Sequence, residues 1–370
     1  MLTGFRHLRG RACMESALRD IYEFRGFRFQ EHELFGLGAG LHFDYSGSRG
    51  LEHSRISVFS PVLDVALLTN TGVRFRRCHD NDRARATRRL RALLAQGEPV
   101  ALKLHPRACR AVMDTTPAPL IPYLPAHWVV AIGYDDARDE VHFYDNRRQQ
   151  PYAMPIAEWE ASRHGGSEYA DPRGVWLELE FPNRLTDPAI AHWTAIAQVV
   201  VGLRHTASPP LNLGLTGLGR FARHLRFWPT RLRAEHVRDN ACRMMNSLSA
   251  AGAVKGAFRA QYAFYLAGAA DVIDAPGLRT AAALYRECAT RWHDVFQQLA
   301  LVAEAPERVA EWTRGSAMFA ALDAVFDAET AAAAALAAGL PARASLGASL
   351  GASLGASVSA SLRDAREVAA

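Results

Sequence analysis

Apolar residues at Met14, Ala17, Leu18, Ile21 and Tyr22 line one face of an α-helix that Gly26 ends, so Cys13 stands at a helix N-terminus. A short second helix is expected around Glu31 to Phe35, and the glycines of Gly36 to Gly50 predict a turning loop there. Pro61 to Thr71 and Asp82 to Gln96 read as helices, with a short strand, Val73 to Arg77, between them. The pattern then changes. Pro99 to Leu104, His127 to Tyr134, Val141 to Asp145 and Gly174 to Phe181 are rich in β-branched and aromatic residues and bounded by Pro, Gly and Asp, the signature of strands. From about residue 215 to 340 the spacing is helical, without an alternating run. The expected architecture is α+β: a domain over 1–183 with N-terminal helices and an antiparallel sheet, then an all-α domain over 184–340. Residues 341–370 repeat LGAS three times, a low-complexity tail whose small side chains bury too little surface for a unique fold.

Composition narrows the function classes. The 370 residues are 49% hydrophobic, as in a globular protein, yet no apolar run approaches the roughly 20 residues that cross a bilayer. The expected location is therefore cytoplasmic, with no membrane partner. Five cysteines, Cys13, Cys78, Cys109, Cys242 and Cys288, are odd in number and never in a CxxC pair, which suggests neither a disulfide framework nor a zinc site. A net charge of +5 comes almost wholly from arginine, Lys103 and Lys255 being the only lysines, and the runs Arg74 to Arg77 and Arg83 to Arg91 lack stacking aromatics apart from Phe75. Nucleic acid is not an expected partner.

A helix N-terminus and a neighbouring imidazolium both favour a thiolate, so Cys13 is the candidate nucleophile. His127 opens the strand HWVVAIGYDD, and Asp145 closes the strand VHFYDN that follows a turn at 135–139. If Tyr134 pairs with Glu140, Asp145 falls opposite Val129 and on the face of His127, diagonal to it. A slip of one residue would place the two on opposite faces and make Asn146 the orienter. Read without a family, each residue has a bland alternative as core thiol, satisfied strand polar group or turn cap.

An N-terminal Cys at a helix head, a later strand beginning His-Trp-Val-Val and a strand ending in Asp resemble the papain-like superfamily. More narrowly, Gly4-Phe-Arg-His-Leu-Arg-Gly-Arg-Ala-Cys13-Met-Glu-Ser-Ala-Leu-Arg, Glu33-Leu-Phe-Gly-Leu-Gly-Ala-Gly-Leu41 and His127-Trp-Val-Val-Ala-Ile-Gly-Tyr-Asp135 resemble the N-terminal domain of the butirosin biosynthesis protein H family. Gly252-Ala-Val-Lys-Gly-Ala-Phe-Arg-Ala-Gln-Tyr-Ala-Phe264 is similar to the uncharacterised helical domain that often follows it. The resemblance implies a papain-like catalytic domain and acyl transfer from the phosphopantetheine arm of an acyl carrier protein, through a cysteine, to an amine acceptor. It carries Cys13 over as nucleophile, His127 as base and Asp145 as orienter, with no metal and no bound cofactor. Two departures stand out: Ala12 occupies the place of the family's usual His before the nucleophile, and His7 stands six residues before Cys13, where papain-like enzymes carry an oxyanion-hole Gln. His7 is thus the candidate oxyanion donor. The alternatives are a peptidase or thioesterase with the same triad, and a non-catalytic carrier-binding scaffold. Because acyl carrier proteins are acidic, the arginine runs Arg74 to Arg91 and Arg220 to Arg233 are candidate docking surfaces.

Overall fold

Alternation of apolar and polar positions produces eight strands among the described residues of a computed structural model, which covers 1–47, 51–204, 213–250, 254 and 256–341. They are β1 (Leu41–Ser46), β2 (Arg55–Phe59), β3 (Arg74–Cys78), β4 (Val100–Leu104), β5 (His127–Asp135), β6 (Glu140–Tyr144), β7 (Tyr152–Pro155) and β8 (Trp176–Glu180). The chain divides into two compact units. One comprises Met1–Leu34 and Val73–Asn183; the other takes Phe35–Gly72, Arg184–Ala250 and the described residues from Val254 onward.

The first unit is built on a six-stranded antiparallel sheet in the order β3-β8-β4-β5-β6-β7. The helices Arg83–Ala95 and Ile156–His164 cover one face, where Leu90, Leu94, Leu102, Val129, Ala131, Val141, Phe143 and Trp159 close a dry core. Asp82 caps the first of these helices by accepting from the Arg85 N–H. Alternation puts His127 and Asp145 at the margin of that same face, two residues beyond Val129 and Phe143. The helix Cys13–Phe24 also packs on β5, through a stripe that includes Ala17, Leu18, Ile21 and Tyr22.

The β5–β6 hairpin departs from the expected register at its turn and regains it at the site. Asp135 pairs with Glu140 and Tyr134 with Val141, one residue off the expectation. A bulge at Ile132 then restores it, so that Val130 faces Tyr144 and Ala131 faces Phe143. Continued one step, this ladder sets Asp145 opposite Val129. The bulge carbonyl is not wasted: Ile132 O accepts from Leu2 N at 2.7 Å, which ties down the N-terminal segment.

In the second unit the segment expected to be loop, Gly36 to Gly50, contains β1, which pairs antiparallel with β2. The glycines suggested turns, but Leu41, Phe43 and Tyr45 alternate inward and are buried, with the Phe43 ring 5.7 Å from that of Trp292. By contacts, then, residues 35–72 group with the helical unit rather than with the rest of 1–183, while the described residues of 184–340 form no strand, as the spacing predicts. The unit's remaining framework is helical, including Pro188–Arg204, Gly214–Leu225, Ala234–Ser249, Arg259–Val272, Gly277–Glu304 and Ala317–Gly339. The expected tail lies, from residue 342 on, outside the described residues. No helix among those described is long and apolar enough to cross a membrane.

Candidate active site

Cys13 begins its helix with a half-buried thiol. Ala12 before it is extended and offers no side-chain cap, so the first-turn N–H groups are not taken by a capping side chain. The approach to Cys13 is fixed by a polar clamp. Gly10 N donates to Asn146 O at 2.7 Å while Asn146 Nδ2 donates to Gly10 O at 3.1 Å, and Gln149 Nε2 reaches His7 O at 2.8 Å. Glu31 accepts from Arg11 N at 3.1 Å and from Ser16 Oγ. Gly10 has no room for a side chain, since a Cβ there would lie 1.9 Å from Glu31 Oε1. The residues just before the nucleophile are thereby bound to those just after Asp145.

His127 is the first residue of β5, paired with Leu104 and only 8% exposed; Asp145 immediately follows β6 and is fully buried. His127 Nε2 and Asp145 Oδ2 stand 3.3 Å apart, an ion-pair distance, yet neither atom has an aligned hydrogen-bond partner. The other Asp145 oxygen accepts from Arg147 N at 2.6 Å. Cys13 meets His127 and the Trp128 backbone N–H.

Electrostatics favour the charged form of all three groups. Burial is the largest influence on the Cys13 thiol and pushes it up, but the His127 imidazolium, a hydrogen bond with its ring and the Trp128 N–H together carry it below its ordinary value. Burial likewise pulls His127 down, and the charges of Asp145 and Cys13 reverse this, raising it to about 10. Asp145 is pushed up by burial and brought below its ordinary value mainly by His127. At neutral pH His127 is an imidazolium and Asp145 a carboxylate, and their neighbour Cys13 is biased toward the thiolate. Glu15, one turn inside the helix and buried, is raised to about 8 by desolvation and by Cys13, so it adds no second negative charge beside the thiolate at pH 7.

The sequence candidates fare differently. Cys13, His127 and Asp145 are brought together. His7 is not available as an oxyanion donor: Nδ1 faces Asp20 Oδ2 at 2.6 Å, Nε2 donates to Arg148 O at 2.9 Å, and the ring stacks on Tyr144. Both nitrogens are committed to holding the N-terminal segment. Asn146, the alternative orienter, donates its amide nitrogen to Gly10 O, and the side chain found beside His127 Nε2 is that of Asp145. Cys109, expected to be a packing thiol, is fully buried among Val112, Val129 and Phe143, but its sulfur also lies within 4.8 Å of ligand atoms of both His127 and Asp145. Among the described residues these three side chains are the group with metal-ligating geometry. They come from three separate segments, which a search for CxxC or short His spacing does not detect. Desolvation first, then the Asp145 charge, raises the Cys109 thiol well above its ordinary value, so it keeps its proton, whereas Cys13 is shifted the other way.

No curated protein matches the chain. Residues 12–146 match the family model described as butirosin biosynthesis protein H, N-terminal, a span that opens one residue before Cys13 and closes one residue after Asp145. Residues 159–336 match a domain of unknown function (DUF4872). With these two matches in this order, the chain belongs to the butirosin biosynthesis protein H-like family.

Proposed function

We propose that the protein is a cysteine-dependent acyltransferase of butirosin-type antibiotic biosynthesis, with a papain-like catalytic unit that takes its acyl group from a carrier-protein thioester. The observation that carries this reading is the pairing of a partly exposed Cys13, its thiol drawn below the ordinary value, with His127 and a fully buried Asp145. Cys13 thiolate attacks the thioester carbonyl, and the resulting oxyanion collapses to expel the carrier thiolate, which takes the proton from His127. The oxyanion is stabilised by backbone N–H groups at the uncapped start of the Cys13–Phe24 helix, the role expected of His7 passing to the main chain. An acceptor amine then attacks the acyl-cysteine, neutral His127 receives its proton, and Cys13 leaves again as thiolate.

Incubation with an acyl carrier protein thioester, or with a small acyl thioester, followed by intact-protein mass spectrometry tests the reading. The expected result is one acyl adduct, located on Cys13 and discharged by an added amine as the amide. Release of free acid alone would make the protein a hydrolase. No adduct under either condition would leave the scaffold reading standing.

A further inference from the structure

The buried carboxylate of Asp145 has more neighbours than a triad needs, and one of them has no part in the chemistry above. Asp145 Oδ1 is held by the Arg147 N–H, whereas Oδ2, the oxygen facing His127, lacks an aligned donor. Cys109 Sγ sits within 4.8 Å of ligand atoms of His127 and Asp145 and carries its proton. It arrives there by a defined route: β4 ends at Leu104 opposite His127, the turn Pro106–Ala108 follows, and Cys109 precedes the helix Arg110–Thr115. Nearby, the Arg147 guanidinium donates to Thr115 Oγ1 at 2.7 Å, so the loop that carries Asp145 is tied to the end of that same helix.

From this placement we propose that Cys109 is a positioning residue of the active site, its S–H donating to Asp145 and holding the carboxylate in register with the imidazole of His127. The idea rests on the triad reading given above but makes a separate claim. A carboxylate held by both a main-chain N–H and a thiol cannot swing away from the ring. In that view the apolar setting of Cys109 serves the site as well as the core: it keeps water from competing for the carboxylate and keeps the sulfur protonated, hence a donor. Thiols are weak donors, but in a dry pocket a weak donor with no competitor suffices to orient a neighbour.

Two substitutions of similar size separate positioning from packing. Cys109→Ser keeps a donor, and Cys109→Val keeps an apolar side chain without one. The first readout is the pH profile of Cys13 alkylation by iodoacetamide, followed by mass spectrometry. The second is the midpoint of the His127 Cε1–H signal in full-length Cys13→Ala protein, which reports the His127–Asp145 interaction whether or not Cys13 is a nucleophile. Cys109→Val is expected to lower the His127 midpoint by about one unit, equivalent to a tenfold change in its protonation equilibrium, and to slow Cys13 alkylation at neutral pH. Cys109→Ser should lie within about 0.3 units of the parent. Equal midpoints in all three proteins, or equal shifts in Val and Ser, would overturn the inference and leave Cys109 as core. Should Cys109→Val lose its fold by circular dichroism, Cys109→Ala takes its place with the same expected shift, and a parent-like His127 midpoint in Cys109→Ala removes the role. Failure of the catalytic reading would appear elsewhere, as Cys13 in the parent reacting no faster than Cys78.

Discussion

Two buried ionic clusters, one in each unit, use similar residue types to opposite ends. In the helical unit Arg259 and Glu329, each 1% exposed in the side chain, meet at 2.6 Å, and every neighbour adds an aligned bond: Arg259 Nη1 donates to Ala257 O at 2.8 Å and Val58 O at 3.1 Å, and Trp292 Nε1 donates to Glu329 at 2.6 Å. In the sheet unit His127 and Asp145 approach to 3.3 Å without alignment, next to the partly exposed residue Cys13. A buried ion pair with all its hydrogen bonds made has nothing left to exchange, and it specifies a fold. One with orphaned atoms beside a thiol drawn toward its ionised form is poised for proton movement.

The sharpest way to break this contrast is to remove one member from each cluster. Cys13→Ala should abolish iodoacetamide labelling at neutral pH and acyl-enzyme formation entirely, with the urea midpoint little changed, because the thiol holds nothing together. Arg259→Met should do the reverse. Leaving Glu329 buried and unpaired is expected to cost about 3–5 kcal/mol in urea unfolding, while Cys13 in the folded fraction keeps its reactivity. Destabilisation by Cys13→Ala as large as that by Arg259→Met would erase the distinction. Between these extremes, Asp145→Asn removes the charge that holds His127 protonated, and Cys13 alkylation at pH 7 should fall on the order of 100-fold, read as a second-order rate constant.

How legible these clusters were differs for a physical reason. Cys13 at a helix head, His127 at a strand start and Asp145 at a strand end could be found because each lies at the boundary of an element that periodicity reveals. The hairpin register was recovered at Asp145 only because the bulge at Ile132 cancels a one-residue error at the turn, and no local pattern announces that bulge. The Arg259–Glu329 pair joins residues 70 apart on two helices, and nothing in either helix's own pattern selects the partner. Cys109 was missed for a similar reason: its neighbours lie on other strands, and a lone cysteine in an apolar stretch reads as core. β1 and β2 were hidden by glycines in Gly36 to Gly50, although Leu41, Phe43 and Tyr45 carried the alternation. His7 was singled out from its spacing to Cys13, but the Asp20 and Arg148 contacts that occupy it are tertiary.

The ionised state of the site fixes a pH dependence. Cys13 lies below the ordinary thiol value, whereas burial, and after it the charge of Glu178, raises Cys78, so alkylation of Cys13 should rise at lower pH than that of Cys78. The stability term has the sign of a raised histidine. Its contribution is fully present below the unfolded value near 6.5 and is lost as pH rises through about 10. Wild-type unfolding free energy should therefore fall between neutral pH and pH 10 by more than that of His127→Asn. Parallel curves would show that His127 is neutral in the folded protein and that the thiolate has another cause.

The smallest effect is expected where the sequence pointed most visibly to a partner. The run Arg74 to Arg91 looked like a docking surface for an acidic carrier, but Arg74 is bonded to Glu180, Arg76 and Arg89 to Glu178 at 2.6 and 2.7 Å, Arg85 to Asp80 at 2.5 Å and Arg91 to Asp136. Five of the run's eight guanidinium groups thus face four carboxylates of the same unit, which offsets most of the charge of those five. In the second run, Arg226 pairs with Asp323 and Arg233 with Glu235 in the same way. These pairs are largely exposed, so each is worth at most about 1 kcal/mol and is screened further by salt. Replacing Arg74 and Arg91 by alanine should change the urea midpoint marginally and slow association with a carrier protein less than about twofold at 0.1 M salt, measured by stopped flow beside turnover of a small thioester. A loss several-fold greater with the carrier than with the small thioester would return the docking site to this face and would mean that the pairs open when the acidic partner arrives.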